Sequence, residues 1–409
     1  MSLVSSMFTG VSGLTGNSDA LQVLGDNIAN VNTIGYKSSD VVFGDILSTV
    51  LANGSTTMQF GRGTLLNGVT QSFEQGALET TSNATDMSVD GSGFFIVNDG
   101  VGNFYTRAGQ FRMDNAGKLA DPNANILQGF AITAGTTATA LSDVDLAGVQ
   151  SAPNATTTFT LGANLDASSA SATTTFTSPI TIYNSIGDED VLSLTFTKGS
   201  GNSWTWSATS SILSSSGSLA SGTVSFNTSG VLTSPTTDPT ITLDYTTASA
   251  PAASQTITWD LVNASGASNG DLTGYAATSN NNAVVQDGFS TGTLIGLSVG
   301  TSGIISGLFD NGQTQELYQV GLADFLSPEG LDRKGGNLFA VSARSGQPII
   351  GAAKTGGFGS ILGSALELSN VDLAAEFVTL IQTQQAFQAS SRIITTVDDL
   401  LTEAVNLKR

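Results

Sequence analysis

Val4, Met7, Val11, Leu14, Ser18, Leu21, Gly25 and Ile28 follow one another in alternating steps of three and four. Such a series lies on one stripe of a helix and reads as a mostly apolar heptad seam. The positions around it carry Ser5, Ser6, Asn17, Asp19, Gln22 and Asp26, and Asn30, Asn32 and Gly35 end the pattern. A second stripe closes the chain, through Phe377, Leu380, Ile381, Phe387, Ile394, Val397, Leu401 and Val405. Ser369, Asn370 and Asp372 precede it as candidate N-caps. No Gly or Pro occurs from Val371 to Arg409, so a single helix of roughly thirty residues is expected.

Between these ends the period changes to two. Leu192, Leu194 and Phe196 alternate with Ser193, Thr195 and Thr197. Ile241, Leu243 and Tyr245 alternate with Thr242 and Asp244, and Ile257, Trp259 and Leu261 with Thr258 and Asp260. These are half-buried antiparallel strands with one wet face. Asn67-Gly68, Asp90-Gly91, Asp99-Gly100, Asn269-Gly270, Asp287-Gly288 and Asn311-Gly312 read as turns. The expected fold class is α+β, mainly β: two nested antiparallel β domains, with N- and C-terminal helices that pair as a coiled coil.

Composition refines this layout. From about 149 to 291 the chain is rich in Ser and Thr, and between Lys118 and Arg333 its only cation is Lys198. This stretch reads as an inserted outer β domain. Residues 71–148 with 292–363 then form an inner β domain, 36–70 a connecting segment, and 1–35 with 364–409 the helical coiled-coil domain. The terminal seams lie where chains fray unless something holds them. Gly10, Gly13, Gly16 and Gly25 each cost the first helix about 1 kcal/mol relative to Ala. That helix therefore needs a partner. The candidate assembly residues are Met7, Phe8, Val11, Leu14, Leu21 and Ile28, with Phe377, Leu380, Ile381, Phe387, Ile394, Val397 and Leu401 facing them.

Charge and chemistry exclude more than they suggest. The net charge is −20 in 409 residues, which repels nucleic acid and anionic lipid. No apolar run approaches the length needed to span a bilayer, and Met1 to Gly13 does not form a standard secretory signal. The chain has no Cys and no His, which removes thiolate metal sites and the commonest general base. Asp188, Glu189 and Asp190 read as a solvated turn. Gly91-Ser92-Gly93 precedes a strand rather than the helix a phosphate loop needs. Gly356-Gly357-Phe358-Gly359 reads as a flexible junction before the last helix. Trp204, Trp206 and Trp259 alternate with polar residues and read as core, the other reading being sugar stacking. No catalytic constellation emerges, and neither an enzyme nor a cofactor is expected. Gln382, Gln385 and Gln388 recur every three residues, either as a solvated face or as the lining of something wet.

Seven separate stretches carry a resemblance. Ser6-Met7-Phe8-Thr9-Gly10-Val11-Ser12-Gly13-Leu14 and Asn27-Ile28-Ala29-Asn30-Val31-Asn32-Thr33-Ile34-Gly35-Tyr36-Lys37 open the chain. Phe73-Glu74-Gln75-Gly76, Asp90-Gly91-Ser92-Gly93-Phe94-Phe95 and Tyr105-Thr106-Arg107-Ala108-Gly109-Gln110-Phe111 follow. Leu366-Glu367-Leu368-Ser369-Asn370-Val371-Asp372-Leu373 and Gln382-Thr383-Gln384-Gln385-Ala386-Phe387-Gln388 come last. In this order they resemble the bacterial flagellar rod/hook axial family. Asp26 stands where that signature usually has Asn, and Gln385 where Arg is commoner. The middle, about 149–291, is only loosely similar.

The resemblance implies a structural subunit of the hook, a curved, flexible helical tube that carries torque from rod to filament. It implies export through the flagellar type III apparatus without a cleaved signal, and an extracellular location in the flagellum. Its partners would be copies of itself, the rod, the hook cap and the hook-filament junction proteins, with neither nucleic acid nor membrane insertion. Paired terminal helices would form the inner wall, which assigns Gln382, Gln385 and Gln388 to the channel side. The large insert favours hook over distal rod. A surface adhesin with a glycan-binding β domain is the alternative of a different class.

Overall fold

Period-two alternation builds strands, and a computed structural model shows where they go. It describes residues 3–406 apart from 47–48, 54–55, 134, 172 and 214–216. The side chains of residues 3–4, 49–53, 56–60, 247 and 404 are outside the description, so Val4 of the predicted seam is not placed. Strands predominate, with a long helix near each end, α1 (Leu3–Ala29) and α2 (Leu373–Asn406). No described helix is long and apolar enough to cross a membrane. The chain divides into two units. One comprises Met1–Gly148, Leu297–Gly307 and Gln315–Arg409, the other Val149–Gly296 and Leu308–Thr314.

The second unit is a sandwich of two five-stranded sheets. Thr175–Tyr183, Glu189–Lys198, Ser203–Ser210, Ala220–Phe226 and Leu232–Ser234 form one as an antiparallel meander. Along Glu189–Lys198 the alternation is strict, with Leu192, Leu194 and Phe196 fully buried. The other sheet departs from the all-antiparallel expectation. Thr158–Asn164 pairs in parallel with Gln255–Trp259 and with Leu272–Thr273, and antiparallel with Asn280–Gln286. Parallel pairing needs a long crossover, and the meander of the facing sheet supplies one between Thr158–Asn164 and Gln255–Trp259. Trp259 joins the layers, stacking on Phe159 at 5.9 Å and meeting Trp206 edge-on at 5.5 Å. Trp204, Trp206 and Trp259 are all core residues.

Asp190 corrects the reading of its acidic run. Asp188 and Glu189 are exposed, but Asp190 is completely buried. Ser210 Oγ donates to it at 2.5 Å and Tyr245 O–H at 2.8 Å. Ser211 N–H, Ser211 Oγ and Ile212 N–H complete the cage. Burial works against the carboxylate, yet these donors outweigh it and hold its pKa below the ordinary value. Asp190→Asn should therefore destabilise this unit by about 2 kcal/mol or more. The sign with pH follows from the depressed pKa. The contribution is full above pH ~4 and is lost as pH falls through the folded-state value. The chain's three tryptophans all lie in this unit, so fluorescence-detected melting reads it selectively. An Asn variant with the wild-type midpoint and the wild-type acid dependence would contradict this account.

In the first unit, Ile126–Thr133 pairs with Phe94–Asn98, Thr136–Asp143 and Thr314–Asp324. Its core is aromatic: Tyr105 meets Phe325 edge-on at 4.8 Å, and Phe73 meets Phe94 and Phe339 at 5.5 and 5.4 Å. The segment after α1 forms an antiparallel hairpin, Ser39–Asp45 with Thr64–Gln71. Asn67-Gly68 is not a turn. Val42 faces Gly68 and Phe43 faces Leu66, so Asn67 is the extra residue of a bulge in mid-strand. Asp287-Gly288, in the second unit, is no hairpin turn either. The Asp287 carboxylate accepts from Thr157 and Thr158 N–H at 2.7 and 3.0 Å and braces two distant segments. Gly356–Gly359 connects Ile349–Ala352 to Ser360–Gly363, and a further strand, Ala365–Glu367, precedes α2. That run is thus a turn between strands rather than the lead into a helix.

Candidate functional site

The two chain ends meet as an antiparallel helix pair. Gly10 of α1 lies against Ile394 and Ser390 of α2, while Asn27 reaches Glu376 at the other end. The Asp372 carboxylate starts α2 by accepting from Ala374 and Ala375 N–H at 2.8 and 3.3 Å. The least exposed positions along α2 run through Leu380, Thr383, Phe387, Ser390, Ile394, Val397 and Leu401, in steps of three and four, and of these Ser390 and Ile394 border α1 at Gly10. Each is half-buried except Val397, which is buried.

The inward face of α1 is one residue out of step with the predicted seam. It runs through Gly10, Gly13, Asn17, Ala20, Leu24 and Asn27. A methyl group added at Gly10 would stand 3.0 Å from Ile394, and one at Gly13 2.9 Å from Ser390. Small residues thus let the helices approach closely at this end, and the large apolar residues Met7, Phe8 and Val11 are turned away. Met7, Phe8 and Val11 are exposed by 40, 68 and 41%. Leu14, Leu21 and Ile28 are half-buried. On α2, Phe377 and Ile381 are exposed by 51 and 57%, joined by Leu373 and Val378. Ile393, Leu400 and Val405 form further exposed apolar positions near its other end. Gln382, Gln385 and Gln388 are all exposed. Sequence reasoning missed Leu373, Val378, Ile393 and Leu400, which lie just off the stripe it followed.

The motifs that lie far apart in sequence converge where the helices leave the β structure. Lys37 Nζ donates to Glu367 Oε1 at 2.6 Å and to the Glu74 carbonyl at 2.5 Å. Gly76 N–H donates to the same carboxylate at 2.9 Å. Arg107 Nη1 lies 3.4 Å from Glu367 Oε2, and its Nη2 donates to the Gly91 carbonyl at 2.8 Å. The Arg107 guanidinium also covers the Phe94 ring at 5.1 Å. Glu367 is fully buried, and Lys37 and Arg107 are exposed by only 2 and 5%. Burial pushes the pKa of Lys37 and of Arg107 down, and in each case Glu367 acts in the opposite direction.

A second polar knot lies beside the first. Asn27 Nδ2 donates to Glu376 Oε1 at 2.8 Å and to the Ser39 carbonyl at 2.9 Å, and Ser39 N–H donates back to Asn27 Oδ1. Burial pushes the Glu376 pKa up, against the Asn27 hydrogen bond. Asn370 accepts from Ser38 N–H at 2.7 Å and donates to the Ser72 carbonyl at 2.9 Å. Asn370 is therefore a brace rather than the helix cap. Gly35 is held at φ +67°, and a Cβ there would sit 2.5 Å from Ala108 N, so only glycine lets the chain turn this close to the β structure. Among the described residues no acidic group gathers into a metal-binding set.

Comparison with known proteins agrees along the chain. A model of "Flagella basal body rod protein" matches residues 7–37, and one of the "Flagellar basal body rod FlgEFG protein C-terminal" matches 362–407. Between them, "Flagellar hook protein FlgE/F/G D1 domain" matches 88–160 and "Flagellar basal body protein FlaE D2 domain" matches 152–289. The flagellar hook protein FlgE of Borreliella burgdorferi is 32% identical over 99% of this chain and 100% of its own length. That of Treponema pallidum is 31% identical over 100% of both chains. That of Escherichia coli is 31% identical over 97% of this chain and 98% of its own.

Proposed function

The chain belongs to the flagellar hook protein family, and on that premise we propose that it is the structural subunit of a flagellar hook, self-assembling into a flexible, curved helical tube. The observation that carries the reading is the surface of the terminal helices. Phe8 on α1 and Phe377 and Ile381 on α2 are each more than half exposed in the single chain. Apolar surface of this kind is normally covered, and in a polymer the cover is another copy. The assembly surface comprises Met7, Phe8, Val11, Leu14, Leu21 and Ile28, with Phe377, Leu380, Ile381, Phe387, Ile394, Val397 and Leu401. Leu380, Phe387, Ile394, Val397 and Leu401 act by holding the pair together, and the exposed members act between copies. Gln382, Gln385 and Gln388 form a neutral polar strip suited to a wet channel.

In this role the chain meets the rod below, the hook cap and junction proteins above, and the flagellar export apparatus on its way out of the cell. Its work is mechanical rather than catalytic. A distal rod subunit would share the helical ends, but the 152–289 match covers the large insert that favours the hook.

Assembly places chains of net charge −20 side by side. Repulsion between exposed charges is screened beyond ~8 Å at physiological ionic strength. Purified chain should polymerise into tubes visible by electron microscopy, with a critical concentration that falls as salt rises. No tubes at any salt concentration would overturn the reading, and a critical concentration that rises with salt would overturn its electrostatic part.

A further inference from the structure

The helix pair has little of its own to fix its alignment from Gly10 to Ala20, and its Asn27–Glu376 hydrogen bond lies at the base. From Gly10 to Ala20 the inward face of α1 carries no large side chain. The Asn17 amide turns back to its own helix, donating to the Gly13 carbonyl at 2.8 Å. Opposite, Ser390 is a small residue whose hydroxyl also bonds its own helix, at the Ala386 carbonyl. Phe387 and Ile394 of α2 are large, but over this stretch nothing of matching size on α1 interlocks with them. In a coiled coil the large side chains seated in facing holes resist axial sliding, and here α1 lacks them over about half its length.

Alignment is instead defined at the base. Lys37 follows α1 closely and Glu367 precedes α2 closely, and the two meet at 2.6 Å although 330 positions separate them in sequence. Arg107, from the β structure between them, holds the other carboxylate oxygen. The cluster is not arranged for maximal stability, since Arg107 Nε is buried without a partner. Buried charges are costly to desolvate, and their best-attested use is to specify one arrangement among several.

We infer that Lys37, Arg107 and Glu367 form a charge lock that sets the axial register of α1 against α2. The carboxylate has one seat: Lys37 and Gly76 N–H hold Oε1 while Arg107 holds Oε2. A shift of either chain end by one residue removes Lys37 or Glu367 from that seat. The helices are thus aligned from their base rather than along their length. These three are positioning residues, and the inference does not depend on polymer formation.

The absence of cysteine allows spin labels to be placed at will. Ser18 and Asp399 are exposed, one on each helix. With both changed to labelled cysteine in the full-length chain, pulsed electron spin resonance reads the axial offset of the helices. The otherwise unaltered chain should give one narrow distance. Glu367→Gln keeps the shape and an acceptor for Gly76 N–H, and Lys37→Met leaves Glu367 paired with Arg107. Each should broaden the distribution or add a population displaced by about 10 Å, one heptad at ~1.5 Å per residue. Tryptophan fluorescence should melt as before, because the second unit is untouched. Phe387→Ala, which weakens the helix contact itself, should keep a single distance. Narrow, unshifted distances in both lock variants would overturn the inference, and so would a split distribution in Phe387→Ala.

Discussion

Phe8→Asp and Ile381→Asp are each expected to abolish tube formation at any practical concentration while leaving the single chain's stability almost unchanged. The asymmetry follows from exposure. Phe8 is 68% and Ile381 57% exposed in the single chain, and substitutions at such surface positions usually fall within about ±0.5 kcal/mol. Covered by a neighbouring copy, each contributes about 1.5–3 kcal/mol. A carboxylate in its place would also have to be desolvated at a further cost of several kcal/mol. A loss of about 4 kcal/mol per contact raises the critical concentration roughly a thousandfold. Thr137→Asp, on an exposed strand position, adds the same charge elsewhere and serves as control. Sedimentation and electron microscopy give the critical concentration, and thermal melting gives the stability. Tubes forming from either variant at the wild-type concentration would sink the assignment of these residues to the contact between copies.

The helix at the chain's end was more legible than the one at its start. Leu380, Phe387, Ile394, Val397 and Leu401 are large, and their spacing marked the inward face of α2 directly. On α1 the inward face is made of Gly10, Gly13 and Ala20, whose value lies in being small. A reading that follows large apolar residues moves to Met7 and Val11, which point away from α2. The strands with strict alternation, such as Glu189–Lys198, were legible because one face is wet and the other dry. Asp190 was not, since its burial depends on Tyr245, 55 positions away.

The junction of the chain ends shows the same limit. Asn27, Lys37, Gly76, Arg107, Glu367 and Asn370 lie within motifs singled out for resemblance, whereas Ser39 and Glu376 do not, and nothing local pairs Lys37 with Glu367 or Asn27 with Glu376. Such pairs exist only once the β structure has brought the ends together. Asn67-Gly68 failed for a related reason. The dipeptide favours a turn, but the register imposed by Ser39–Asp45 makes it a bulge.

Excising residues 152–289 and joining the cut ends with a two- or three-residue turn is expected to leave a chain that folds and forms tubes, but tubes that are straight. The geometry of the cut favours this. Ser151 pairs with Gly292 and Gln150 with Thr293 as antiparallel neighbours. Asn311 Nδ2 donates to the Ser290 carbonyl at 2.8 Å and to Ser151 Oγ at 3.3 Å, so one side chain holds both ends of the insertion. A short turn between antiparallel neighbours closes such a gap at little entropic cost. The helices and their exposed apolar residues are untouched, so the contacts proposed to drive polymerisation survive. What is removed is the sandwich of Trp204 and Trp259, whose exposed strand faces are available to meet other copies. Without those contacts nothing favours one length of protofilament over another, and curvature, which requires unequal lengths, disappears. Electron microscopy of the tubes gives curvature. If the excised chain folds as a monomer by hydrogen exchange and yet forms no tube, the insert belongs to the polymerising core and the nested layout is wrong. If the tubes stay curved, the bend resides in the helical and inner β regions instead.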